Sequence, residues 1–333
     1  MRVRRSVRTV AVPVAMILAA GAGTASVPGS ASAAARASRS GKVALTKPGA
    51  AASSVVSVRA WGDNSAGELG DGSLTGQAAP VPVARLSGVA AISANGRHDL
   101  ALLANGTVMS WGDNTLGQLG VVIGAGGAVA VAAGGEHSLA LLANGTVMAW
   151  GDNSNGQLGN GRTTSSDVPV AVQGLSNVKA IAAGDLFSVA VLANGTVMTW
   201  GRNSVGQLGD GSNTDSDVPV AVKGISTAVA AAAGGQHVLA LLANGTAMAW
   251  GDNESGQLGS GSMTSGSSNV PVAVKKLTGA TAVSAGYDHS MALLSSGAVR
   301  VWGDNGFNQL GAPNGFPGGI ADSDVPIAVT NST

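Results

Sequence analysis

The chain has no cysteine in its 333 residues, and this removes disulfides, thiol nucleophiles and cysteine-bound metals from consideration. Aromatics are equally scarce, with three Phe, one Tyr and six Trp, too few for a core built on Phe and Tyr. Charge is thin at 11%, against about 25% in ordinary domains. Net charge is zero and apolar residues make up 45%, which excludes disorder of the highly charged kind. No apolar run with helical periodicity occurs anywhere. Glycine fills the gap, with 51 residues. It shows no three-residue period, so collagen is excluded as well.

The first residues read as an export signal, 1–33. Arg2, Arg4, Arg5 and Arg8 form a basic head, an apolar stretch runs from Val10 to Ala22, and Ala31-Ser32-Ala33 offers a small-x-small cleavage site. The stretch is short and interrupted by Pro13, so no membrane span is expected after cleavage. The Arg4-Arg5 pair leaves the choice of Sec or twin-arginine route open. Cleavage removes four arginines and no acid, leaving a mildly acidic chain for which nucleic acid is not an expected partner. An Ala/Ser/Gly-rich stretch, 34–54, reads as a flexible leader. The expected location is outside the cell.

From residue 55 to 333 the chain repeats. Trp61, Trp111, Trp150, Trp200, Trp250 and Trp302 each open the same phrase, Trp150-Gly151-Asp152-Asn153 through Gly156-Gln157-Leu158-Gly159 in the third copy. The period is about 50 residues, shortened between Trp111 and Trp150, where a Val-Pro-Val strand and its loop are missing. Before each tryptophan after the first lies a pair of apolar runs joined by Asn105-Gly106, Asn144-Gly145, Asn194-Gly195, Asn244-Gly245 or Ser296-Gly297. Such pairs predict β-hairpins with two-residue type I′ turns. The sequons at the four Asn-Gly-Thr sites are then incidental to turn geometry. Two further strands complete each unit, as in Val168–Val172 and Val178–Ala182. Four strands per repeat is the size of a propeller blade.

Gly234-Gly235-Gln236-His237-Val238-Leu239-Ala240-Leu241 and Trp250-Gly251-Asp252-Asn253-Glu254-Ser255-Gly256-Gln257-Leu258-Gly259 resemble the regulator of chromosome condensation repeat over 55–329. The resemblance implies an all-β β-propeller, and the family's usual ring has seven blades. Six Trp phrases and five strands of the His237 type lead us to expect six blades, one short and one incomplete. A seven-blade-like ring left open is the alternative, and an incomplete blade would also allow self-association.

The chemistry-bearing residues mostly read as structural. His98, His137, His237 and His289 share one repeat position, which Phe187 fills in the remaining copy. A ligand position does not tolerate phenylalanine, so we expect half-buried rings bonded to a neighbouring turn, and no metal. The Asp-Asn pairs after each Trp-Gly lack an EF-hand frame and read as turn caps. Gly206–Gly211 lacks the helix that a phosphate loop needs. No cofactor is expected. The tryptophans read as packing anchors between blades.

Variation concentrates in the turn before the histidine position. There stand Arg97, Glu136, Asp185, Leu186, Gln236, Tyr287 and Asp288, expected together on one rim as a binding surface. The longer loops, 163–167, 212–217, 262–269 and 312–323 with Phe316, are expected elsewhere. A non-enzymatic, secreted propeller binding a protein or a cell-envelope component is the expected function. The resemblance implies two alternatives: guanine-nucleotide exchange on a small GTPase, and, from secreted bacterial members, an enzyme inhibitor of the β-lactamase-inhibitor type. A glycan-acting enzyme comes third, with Asp185 and Asp288 as its paired carboxylates.

Overall fold

The computed structural model describes residues 42–46, 57–120, 127–263, 266–311 and 322–329. The expected signal, 1–33, lies outside the described residues, as does Phe316. Among the described residues there is no helix and no candidate membrane-spanning helix.

Every described sheet is antiparallel and meandering. The first has three strands, β1 (Lys42–Thr46), β2 (Ser57–Gly62) and β3 (Gln77–Pro82). The second also has three, β4 (Val89–Asn95), β5 (His98–Leu103) and β6 (Val108–Gly112). Four-stranded sheets follow. β7 (Ala128–Ala133), β8 (His137–Leu142), β9 (Val147–Gly151) and β10 (Ser166–Ala171) make the third. β11 (Val178–Ala183), β12 (Phe187–Leu192), β13 (Val197–Gly201) and β14 (Ser216–Ala221) make the fourth. β15 (Ala228–Ala233), β16 (His237–Leu242), β17 (Ala247–Asp252) and β18 (Ser267–Ala273) make the fifth. β19 (Ala280–Ala285), β20 (His289–Leu294), β21 (Val299–Gly303) and β22 (Ser323–Ala328) close the series.

This is a β-propeller of four-stranded blades. Five sheets contain the strand of the histidine position, so the described blades number five and not the six expected. The reason lies ahead of Trp61, where the sequence has no Asn-Gly hairpin to supply the two strands that precede every other tryptophan. One of them is replaced by β1, which pairs with β2 in the register that β12 keeps with β13: Lys42 opposes Trp61 as Ser188 opposes Trp200. The expected leader therefore contains a strand.

The hairpin turns also differ from expectation. Gly145 N–H donates to Leu142 O at 2.9 Å, and positive φ falls on Gly145 (79°) and not on Asn144. That is a type I turn followed by a bulged glycine, whereas type I′ needs positive φ at both central residues. Asparagine is selected for another reason. Asn144 Oδ1 accepts Thr146 N–H at 3.0 Å and Thr146 Oγ1–H at 2.7 Å, closing an Asx-turn across the hairpin.

The core is divided into five slabs, each shared by two neighbouring sheets. Leu139, Val147 and Leu158 of the third sheet bury against Val178 and Trp200 of the fourth. Phe187, Val189 and Leu208 of the fourth do the same against Val238 and Trp250 of the fifth. A tryptophan buries about 150–250 Å², so each slab is dominated by its single indole.

Candidate functional site

Each sheet-to-sheet junction uses the same lock. The indole Nε1–H of Trp200 donates to Gln157 O of the preceding sheet at 2.9 Å, and its ring lies over Gly159. Trp111, Trp150, Trp250 and Trp302 donate in the same way to Glu68 O, Gln118 O, Gln207 O and Gln257 O, at 2.9–3.0 Å. These five tryptophans are the packing anchors expected of them. Three of these carbonyls accept a second bond, from Ser138, Ser188 and Ser290 Oγ–H.

Those serines are the partners of the histidines. His98, His137 and His237 Nε2 lie 2.9 Å from Ser138, Ser188 and Ser290 Oγ of the following blade. Because each serine hydroxyl donates to a carbonyl, it accepts from the imidazole, which fixes the proton on Nε2. The Nδ1 atoms of the same three rings are buried without a hydrogen-bond partner. Burial pulls the His98 pKa down to about 4 and those of His137 and His237 to about 3. The rings are fully buried rather than half-buried, and their partner is a strand hydroxyl rather than a turn. Phe187 breaks the pattern because its partner does: Val238 stands where three other blades have serine, and the two meet in one apolar cluster.

The Asp-Asn pairs act inside their own turns. Asn153 Oδ1 accepts Leu158 N–H at 2.9 Å, while Nδ2 donates to Arg162 O and Thr164 O. Asp152 accepts Ser154 N–H and Gln157 Nε2–H.

The variable turns are brought together. Gly96 lies against Gly135. Gly135 N–H donates to Asp185 O at 3.1 Å, Asp185 N–H to Gly235 O at 3.2 Å, and Gly235 N–H to Tyr287 O at 3.0 Å. A continuous backbone seam thus runs through four turns along one rim, with the Gly96 turn packed at its end and the Tyr287 ring packed on Gly235. Arg97 is exposed, and Glu136, Asp185, Leu186, Gln236, Tyr287 and Asp288 are half-buried. Asp185 and Asp288 are separated by the Gly235 turn, so they do not form a pair. Arg97 reaches across to the first sheet, Nε 3.4 Å from Glu68 Oε1 and Nη2 donating to Ser65 Oγ at 3.0 Å.

The long loops whose residues are described throughout, 163–167 and 212–217, are not elsewhere. Gly151 ends β9 opposite both His137 and Ser166, and Asp152 N–H donates to Glu136 O. The Trp-Gly-Asp-Asn turns and the loops after them therefore leave from the same end of each sheet as the variable turns. This widens the rim outward and makes one sector acidic. Burial, with Asp252, Asp304, Glu254 and Asp322 nearby, pushes Asp288 up to about 7. Sequence reasoning read the Asp-Asn pairs that hold Asp252 and Asp304 only as turn caps and brought none of these four acids to the rim; the common strand end of the two turn types was the available signal.

Across residues 122–332 the sequence matches the RCC1-like domain, and residues 89–118 match the regulator of chromosome condensation (RCC1) repeat. The chain belongs to the RCC1-like domain family. Similar solved structures include human WBSCR16, at 26% identity with a TM-score of 0.72, covering 84% of this chain and 79% of that one. Yeast RCC1 (Prp20) in complex with Kap60 is similar at 23% identity and a TM-score of 0.71, covering 84% and 73%. A second structure of Prp20p from Saccharomyces cerevisiae, described with its binding to Gsp1p and histones, gives 24%, 0.68, 84% and 75%. No curated protein matches the chain in sequence.

Proposed function

We propose that this protein is an exported, non-enzymatic propeller that binds a protein or cell-envelope component through the rim of variable turns. The observation that carries the reading is the seam from Gly135 to Tyr287: the backbone is held in one continuous arrangement while the side chains on it change from blade to blade. A fixed scaffold with varied side chains suits recognition, and propellers carry their functions in such grafted surfaces. The acidic sector around Asp288 favours a partner that presents basic groups there. Export rests on the basic head and apolar stretch of residues 1–33.

The test is affinity capture from culture supernatant and cell envelope, with wild type beside a folded Arg97→Ala/Glu136→Ala/Tyr287→Ala variant. A partner held by the wild type and lost by the variant supports rim binding. Equal capture by both overturns it.

A second reading is regulation of a small GTPase inside the cell. It draws on the likeness to Prp20p, whose structure is described with binding to Gsp1p. Retention of residues 1–33 and accumulation in the cytoplasm would favour it.

A further inference from the structure

Five of the six tryptophans are seated in the lock between sheets, and five of the six Gly-Gln-Leu-Gly-type turns receive one. The remainder of each is found at opposite ends of the series. Trp61, half-buried in β2, donates to none of these turn carbonyls among the described residues. At the other end, the turn Asn308-Gln309-Leu310-Gly311 has no indole of the described residues over it. A methyl group built on Gly209 or Gly259 would lie 2.7–2.8 Å from the next sheet's tryptophan, whereas one on Gly311 would meet only Val329 at 3.4 Å.

The sheet face around that empty seat is correspondingly open. Val329 is 38% exposed, while its equivalents Val172, Val222 and Val274 are 4–6% exposed. Leu293 is 42% exposed, against 4% for Leu241. A cavity of about 440 Å³ lies on this face, lined by Met291, Val299, Val301, Leu310, Gly311 and Val329. At the neighbouring junction the equivalent residues Leu239, Ala249 and Leu258 pack against Ala280 and Trp302 of the next sheet.

We propose that this face seats the Trp61 sheet of a second copy of the chain, making a head-to-tail association through the lock that already joins sheets within the chain. Complementarity identifies the occupant: each copy offers one unused tryptophan and one unused seat of the same design. Closure within a single chain would require the intervening junctions to change angle together. Each is close-packed, with a methyl on Gly156 or Gly206 falling 2.5 Å from the next sheet's backbone at Asp217 or Asn269. Packing that tight does not flex continuously. Such contacts are heterologous, since the surfaces that meet are different.

The test is the mass of the full chain in solution by light scattering over a wide concentration range. Trp61→Ala removes the tryptophan and keeps the seat. Met291→Arg/Val329→Glu blocks the seat and keeps the tryptophan. Circular dichroism and thermal melting establish that both remain folded, and Val329→Glu alone, at an exposed position, serves if the double variant does not fold. The expected result is a wild-type mass that rises with concentration to at least twice the monomer. Each variant alone stays monomeric, and an equimolar mixture of the two recovers a dimer, because one supplies the seat and the other the tryptophan. A wild type monomeric throughout, association that survives either variant, or a mixture that fails to recover each overturns the proposal.

Discussion

His137 Nε2 sits 2.9 Å from Ser188 Oγ, and Ser188 donates its own proton to Gln157 O, the carbonyl that also accepts Trp200 Nε1–H. Histidine, serine, glutamine carbonyl and tryptophan form one relay that spans two blades. The relay explains why Phe187 and Val238 occur together: once the hydroxyl is gone, an imidazole there would bury an unmet donor, which costs about 1–3 kcal/mol.

That pairing is testable by transplanting it. His237→Phe or Ser290→Val alone leaves one polar group of the His237–Ser290 contact without its partner, and each should cost about 1–3 kcal/mol. The double variant should be more stable than the sum of the two by at least about 0.5 kcal/mol, as contacting residues are rarely additive. His237 is held neutral at a pKa pulled down to about 3. Its contribution is present above pH 6.5 and is lost as pH falls toward 3, so the double variant should also lose acid sensitivity in that window. Urea titrations of the four proteins at neutral and acidic pH measure both effects.

Asp99 is the buried departure from the same relay. It opposes Trp111 at the position that Ser138 and Ser290 hold in other blades. Burial, reinforced by Glu68, drives its pKa well above the usual carboxylate range. A raised carboxyl contributes its stability below the unfolded value and loses it as pH rises. Asp99→Ser should therefore raise the melting temperature at pH 7–8 by several degrees, with the introduced hydroxyl free to donate to Glu68 O. The gain should shrink toward pH 4. A variant less stable than wild type at pH 8 would show that the acid is held by bonds stronger than the relay's own.

Much of this architecture was legible before any coordinates. The spacing of Trp61 through Trp302 and the paired apolar runs set strand content and blade size, because a repeat that buries one indole per unit leaves a regular trace. What was not legible depends on contacts between repeats. Nothing local to Phe187 points to Val238, 51 positions away. Nothing local to Asp288 reveals Asp304 and Asp322, since their approach follows from strand ends meeting at one rim. The turn type was misjudged because Asn-Gly serves both a type I′ turn and an Asx-stabilised type I turn with a bulged glycine.

The seating of tryptophan on glycine predicts unequal costs for one substitution. Gly209 and Gly224 both have positive φ, 64° and 71°, but only Gly209 lies under an indole; nothing stands within 4 Å of a methyl on Gly224. Gly224→Ala should cost only the backbone strain, about 1 kcal/mol. Gly209→Ala must also push Trp250 out of its slab, and should approach the ~3–5 kcal/mol of a large core truncation. Thermal melts of the two variants make the comparison, and equal losses would remove the glycine seat from the account of blade packing.

Asp288 gives the rim its own pH response. Its pKa is pushed up to about 7 by burial first and by Asp252, Asp304, Glu254 and Asp322 next. Its stabilising contribution is complete below pH 3.8 and is lost as pH rises through 7. Asp288→Asn should accordingly melt a few degrees above wild type at pH 8, with the difference narrowing as pH falls below 7. The same neutralisation removes a charge from the acidic sector, so binding of a basic partner should weaken most at pH 8 and least below pH 6. A melting difference that stays constant from pH 8 to pH 5 would mean that Asp288 is ionised throughout, and the acidic sector would then carry one more full charge at the rim than the structure implies.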